Sequence, residues 1–204
     1  HESKLRRFQR SILYNCWENV AMRKVIYCLN VSLDGFIEDA NGSLDWSNPD
    51  EELHRFFNEQ EREFGLQLYG RRIYENMAAH WTTAHTNPSA PAHEIEYARI
   101  WQSIPKIVFS KTLQQVGANA RLVRDNIAEA VSALKAQPGK DMVVCCAGLA
   151  ASFMRLDLID EYRPVVHPVV LGGGKPMFPA LDRLISLRLI ETRRFGSGAV
   201  LLRY

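Results

Sequence analysis

The chain has 204 residues, 47% of them hydrophobic and 24% charged, with 12 Gly and 9 Pro, the usage of a globular domain and not of a disordered, collagenous or repeat protein. No run approaches the roughly 20 uncharged apolar residues that span a bilayer, and the N-terminus lacks the apolar segment and small-residue cleavage site of a secretion signal, so a cytoplasmic protein is expected. Residues 1–21 hold Lys4, Arg6, Arg7 and Arg10 against Glu2 and Glu18; removing these from 25 basic and 23 acidic residues leaves 21 of each, and a neutral body argues against a nucleic-acid partner, which needs a basic face to release counterions from phosphates. Cys16, Cys28, Cys145 and Cys146 show no C-x-x-C spacing, so neither a structural zinc nor a disulfide framework is expected.

Met22 reads as the start of the folded domain, with residues 1–21 an extension or a cloning remnant. In the rival reading Leu5, Phe8, Ile12 and Cys16 recur near helical spacing and form a short amphipathic helix. Val25 to Val31 is a short, almost wholly apolar run, as expected of a strand covered on both faces, and it breaks at Asp34-Gly35. Asn48-Pro49-Asp50-Glu51 offers a cap, a first-turn proline and first-turn acids, with Leu53, Phe56, Phe57 and Phe64 following at helical spacing. Placing the cap at Asn48 makes Glu51 a capping-box partner and turns Glu52 toward the buried face.

Leu66 to Tyr69 reads as a strand running into Gly70-Arg71-Arg72, after which Ile73, Met77 and Trp81 mark a helix face. Residues 82–92 read as loop, Glu94 to Ser103 as helix, Lys106 to Ser110 as strand, Asn126 to Ala136 as helix and Met142 to Cys146 as a buried strand. Gly148 opens one more helix, Leu149 to Leu156. Beyond Asp160, Tyr162 to Leu171 and Leu187 to Tyr204 are rich in strand formers with no comparable helix between them. Such an order indicates a three-layer α/β fold with a mixed sheet and an antiparallel C-terminal portion.

Four segments invite chemistry: Ser32 to Ile37 around Asp34, the GRRIYE run from Gly70 to Glu75, the strand-to-helix turn Cys146-Ala147-Gly148, and the glycine-containing run from Pro168 to Pro176. A strand that ends in small residues and enters a helix leaves unpaired N–H groups suited to a phosphate. Arg71 and Arg72 at another such junction add capacity for an anion. Each has a plainer reading: a tight connection, solvated arginines, an Asp-Gly turn, a core histidine at His167 and a flexible Gly172–Gly174 link.

Together and in this order, VSLDGFI, GRRIYE, FSKTL, the turn after MVVCC, and DEYRPVVHPVVLGGGKPMF resemble the dihydrofolate reductase-like superfamily, and within it the reductase domain of the riboflavin-biosynthesis deaminase-reductase and its stand-alone bacterial relatives. The resemblance covers residues 22–204. It implies an eight-stranded mixed sheet flanked by helices, with NADPH across the carboxyl ends of the strands and a heterocyclic or sugar-phosphate substrate beside the nicotinamide, a ribosylamino-pyrimidine phosphate if the riboflavin branch holds. Folate reduction is the neighbouring alternative, and a nucleotide-binding module without turnover the alternative from another class. The residues matched to the cofactor are Gly70, Arg71 and Arg72, then Ser110, Lys111 and Thr112 about the 2′-phosphate, and Cys146, Ala147 and Gly148 about the pyrophosphate. Asp34 matches the start of the loop over the nicotinamide, and Glu52 is the choice for the substrate-binding acid. Ile73, where reductases of folate carry threonine, and Cys146 and Ala147, in place of glycines, depart from the pattern. The resemblance and the apolar C-terminal strands also imply a homodimer.

Overall fold

Val25 and Tyr27 enter one core cluster and Ile26 and Cys28 another, because alternate side chains of the first strand, β1 (Val25–Ser32), point to opposite sides of a sheet that is covered on both. The same division splits Leu68 from Tyr69 in β3 (Leu66–Gly70) and Val144 from Val143 in β6 (Met142–Val144). These details come from a computed structural model of the chain that describes residues 22–47 and 49–204. The helical reading of residues 1–21 lies outside them.

The remaining elements, in chain order, are β2 (Phe36–Glu38), α1 (Glu51–Glu61), α2 (Arg71–Trp81), α3 (Ala92–Ser103), β4 (Lys106–Phe109), β5 (Ala120–Val123), α4 (Ile127–Lys135), α5 (Ala147–Arg155), β7 (Glu161–His167), β8 (Lys175–Pro176), β9 (Glu191–Arg194) and β10 (Val200–Arg203). Eight strands form one sheet in the order β5-β4-β3-β6-β1-β7-β10-β9. The first six run parallel, β10 pairs antiparallel with β7, and β9 pairs antiparallel with β10, so the three-layer mixed fold is as the sequence implied. Helices α4 and α5 cover one face through Val131, Leu134 and Phe153. Helices α1 and α2 cover the other, Leu53 against Val165, Phe195 and Leu201, and Ile73 and Met77 against Tyr69 and Val108.

Two readings need correction. Helix α1 is capped by Asp50, whose carboxylate accepts from the Leu53 amide at 2.9 Å, so the helix starts two residues later than a cap at Asn48 requires. Both residues are good caps. Strand β5, unmarked in the sequence, is a short, part-exposed edge that forms only because β4 offers a free side.

β6 inserts between β3 and β1, and the chain then crosses to β7 on the far side of β1. At such a reversal of strand order the helices on either side diverge and leave a crevice beyond the carboxyl ends of the strands. The glycine run is no slack link either. Gly174 has φ +135°, and a Cβ there would lie 2.0 Å from the Glu38 carbonyl oxygen, so β8 can pair with β2 only through a glycine.

Candidate functional site

A cleft lies along the carboxyl ends of β4, β3, β6 and β1. One end is a cavity of about 370 Å³ between the junctions β3–α2, β4–β5 and β6–α5. No loop separates β3 from α2, so Arg71 and Arg72 sit on the helix's first turn beside this cavity. Lys111, Arg124 and Lys175 complete a set of five cations lining it. Helix α5 points its N-terminus here: its first internal bond runs from the Ala150 amide to the Cys146 carbonyl, so the preceding amides have no helical partner. Gly148 is exposed, with nothing within 4 Å of where a Cβ would stand. Cations plus an unobstructed helix N-terminus bind phosphoryl oxygens, and the residues present fit a phosphorylated dinucleotide.

Nearby carboxylates hold these cations loosely. Arg71 is 4.0 Å from Glu75 and Lys111 3.4 Å from Asp125, both exposed. Glu38, nearly buried on β2, bridges Arg72 and Lys175, at 3.2 Å from each. The Cys146 sulfur accepts from the Gly70 amide at 3.4 Å. A thiol at the turn's first position therefore ties β6 to β3 and leaves the approach to Gly148 open. Its peptide bond to Ala147 is trans. Ile73 reaches between two cavities and packs in the core, which explains an apolar residue there.

The middle of the cleft is a smaller cavity of about 120 Å³ bounded by Leu29, Asn30, Ile37, Leu44, Cys145 and Ala147. Leu29, Asn30 and Cys145 also line the far end, a cavity of about 280 Å³ between β1 and helices α1, α2 and α3. Its lining is aromatic and apolar, with Phe57, Met77, Trp81 and Tyr97, and it includes a carboxyl, Glu61. Glu61 is buried, accepts from Gln67 Nε2 at 3.2 Å, and has its pKa pushed up to about 7 by burial, against the hydrogen bond and Lys106. Burial likewise drives Cys28 up to about 12 and the Lys106 ammonium down to about 8.

Of the residues proposed from sequence, Gly70, Arg71, Arg72, Ser110, Lys111, Cys146 and Gly148 line the first cavity and Ala147 the second. Thr112 is exposed and lines none of the three. The Ser110 hydroxyl accepts from the Thr112 and Leu113 amides, holding its own loop. The structure gives Asp34 and Glu52, the two expected catalytic residues, backbone partners and places neither on the walls of the three cavities. Asp34 accepts from the Ser32 hydroxyl at 2.6 Å and from the Leu171 and Gly172 amides at 3.1 and 2.7 Å, the serine bond above all lowering its pKa. It fastens the first motif to the glycine motif, outside the cleft. Glu52, one position into a helix that starts later than expected, accepts from the Gly196 amide at 2.8 Å and braces the turn between β9 and β10. Glu51 pairs with Arg55 on the surface and caps nothing. The stripe that does face the cleft is His54, Phe57 and Glu61, at helical spacing of three and four from the true start. Lys175 was within a quoted motif and Arg124 had no sequence signal.

A family model described as the RibD C-terminal domain matches residues 23–201. The chain belongs to the RibD C-terminal domain family. Within reach of this family, it is 38% identical over 189 residues to the uncharacterized protein YyaP of Bacillus subtilis (strain 168), covering 91% of this chain and 96% of that one. It is 29% identical over 184 residues to YwjB of the same organism, also uncharacterized, covering 89% and 97%. A putative riboflavin biosynthesis protein from Shewanella sp. PV-4 superposes with a TM-score of 0.70 at 23% identity, covering 89% and 97%. Dihydrofolate reductase from Enterococcus faecalis, complexed with NADP(H) and RAB-propyl, superposes with 0.57 at 11% identity, covering 89% and 95%. These likenesses show that this RibD C-terminal domain has the dihydrofolate reductase-like fold.

Proposed function

We propose that the protein is an NADPH-dependent reductase that delivers hydride to a C=N or carbonyl carbon of a small heterocycle. One observation carries the reading: a single cleft places five cations and an open helix N-terminus at one end and an apolar, carboxyl-bearing cavity at the other. A bound dihydronicotinamide would supply the hydride. The chain's part is to fix the two partners. Arg71 and Lys111 hold the 2′-phosphate by charge-assisted hydrogen bonds, the α5 N-terminus holds the pyrophosphate, and the walls of the smaller cavity set the ring against the substrate and exclude water. The name of the Enterococcus neighbour, complexed with NADP(H), supports the choice of cofactor. The Shewanella neighbour's name supports a place near riboflavin biosynthesis.

Loss of one charged partner costs about 2 kcal/mol, more than tenfold in affinity. Calorimetry should therefore show NADPH bound more than tenfold tighter than NADH, and Arg71→Ala should remove most of the difference. Equal dissociation constants refute the reading. A homodimer belongs to the same proposal: β9 is an edge strand exposed along its whole length, and Leu187, Leu189 and Ile190 stand exposed before it, a surface that a second copy would cover. The thiols of Cys28, Cys145 and Cys146 are free, which suits a cytoplasmic setting.

A further inference from the structure

Two of the five cations of the cleft share one carboxylate. Glu38 accepts from Arg72 Nη2 on Oε2 and from Lys175 Nζ on Oε1, each at 3.2 Å, so both of its oxygens are engaged. Exposure within this trio is unequal: the Glu38 side chain is 10% exposed, that of Lys175 39% and that of Arg72 66%. Arg72 and Lys175 line the first cavity and Glu38 does not. A ligand there meets the cations on their open side, while the carboxylate holds them from behind.

The trio also joins two parts of the fold. Glu38 and Lys175 are paired residues of β2 and β8, whereas Arg72 is on the first turn of α2. Among the described residues, the contact between Glu38 and Arg72 is the one hydrogen bond from the β2–β8 ribbon to α2. The other fastenings of the ribbon lead back to β1: the Phe36 amide donates to the Ser32 hydroxyl and the Tyr27 hydroxyl to the Met177 carbonyl, both at 2.9 Å. Ile37, Glu38 and Lys175 from the ribbon and Ile73 from α2 line the middle cavity, so the ion pair is a clasp between two of its walls.

We propose that Glu38 is a built-in competitor for the phosphate end of the cleft: a diphosphate that enters takes Arg72 and Lys175 from its carboxylate and unclasps the β2–β8 ribbon from α2. This rests on the phosphate end of the reductase reading and needs nothing of the hydride transfer. Carboxylate and phosphoryl oxygens recruit the same guanidinium and ammonium donors, so the exchange replaces charge-assisted hydrogen bonds by others of their kind. The ligand prevails because it also gains Arg71, Lys111, Arg124 and the open N-terminus of α5, none of which Glu38 touches. Coupling of this sort is reciprocal: loosening the clasp raises affinity for a diphosphate, and a bound diphosphate loosens the clasp. Occupation of the phosphate end therefore frees a wall of the neighbouring cavity, which receives the rest of the ligand.

The test is calorimetry with inorganic pyrophosphate on the natural protein and on Glu38→Gln, which keeps the shape of the side chain and removes its charge. The variant should bind pyrophosphate about fivefold more tightly, the scale of one part-exposed ion pair. Hydrogen exchange read over Phe36–Glu38 and Lys175–Met177 should quicken when pyrophosphate is added to the natural protein, and in the variant should be fast from the start and unchanged by the ligand. The exchange measurement on the natural protein decides the unclasping even where the variant does not fold. Equal or weaker pyrophosphate binding by a variant with an unchanged circular dichroism spectrum overturns the proposal, because a carboxylate that merely braced the cations would give that result. Ribbon exchange that slows or stays level on addition of pyrophosphate to the natural protein also overturns it. Failure of both proteins to bind pyrophosphate overturns it together with the phosphate end of the cleft, whereas the expected pyrophosphate results with equal NADPH and NADH dissociation constants support it and count against the reductase reading alone.

Discussion

Replacing Glu61 by Gln should stabilise the protein, and by an amount that depends on pH. The side chain is 8% exposed, with Gln67 at 3.2 Å as its hydrogen-bond donor, and burial raises its pKa from 4.5 to about 7. At about 1.36 kcal/mol per unit, the carboxylate form costs about 3 kcal/mol. Between these two values the native state holds a proton that the unfolded chain has lost, so stability falls as pH rises through the window and the cost is complete above it. Gln keeps the shape and never ionises. Some of the gain is lost because Lys106, already driven down to about 8 by burial, no longer has a carboxylate to offset its desolvation, which leaves a net of about 2 kcal/mol above neutrality. Urea denaturation at pH 4.5, 6 and 8 should show the two proteins alike at the lowest pH, with the variant ahead by about 2 kcal/mol at the highest. A difference that does not change with pH would show that Glu61 is not buried as described.

Three further outcomes follow from the corrected site. Asp50→Ala removes the cap of α1 and should cost about 1 kcal/mol by denaturation, whereas Glu51→Gln should leave stability within about 0.5 kcal/mol, because it loses only an exposed ion pair with Arg55. Glu52→Ala should cost about 1 kcal/mol through the Gly196 amide and leave cofactor affinity unchanged; a hundredfold loss of turnover there would restore its catalytic reading. Asp34→Ala should strip hydrogen-exchange protection from the Leu171 and Gly172 amides, with the loss confined to the β2–β8 region, and unchanged protection would show that another group holds the turn.

Much of the architecture was legible because it rests on local rules. Uninterrupted apolar runs marked β1, β3, β4 and β6 as strands buried on both faces, and helical spacing marked α2, α4 and α5 to within a residue or two. The motifs that carried the family resemblance also fall at the cationic end of the cleft, since backbone amides and arginines gather at strand-to-helix junctions a few residues long. The apolar end was not legible. Asn48 and Asp50 both have capping side chains, and the choice between them was made by packing: with Asp50 as cap, Leu53 falls against Val165, Phe195 and Leu201. The packing of Leu53 sets the rotation of the helix, which leaves Glu52 exposed and places His54, Phe57 and Glu61 on the cleft. The partners of Asn30, Asp34 and Cys146 are 137, 137 and 76 positions away along the chain, so no window of sequence could pair them. Sequence by itself determined which segments become strands and helices, because those choices depend on neighbours within a few residues. Which carboxyl is buried, which is tied to a backbone amide and which asparagine faces the cleft were decided only when the sheet brought distant segments into register.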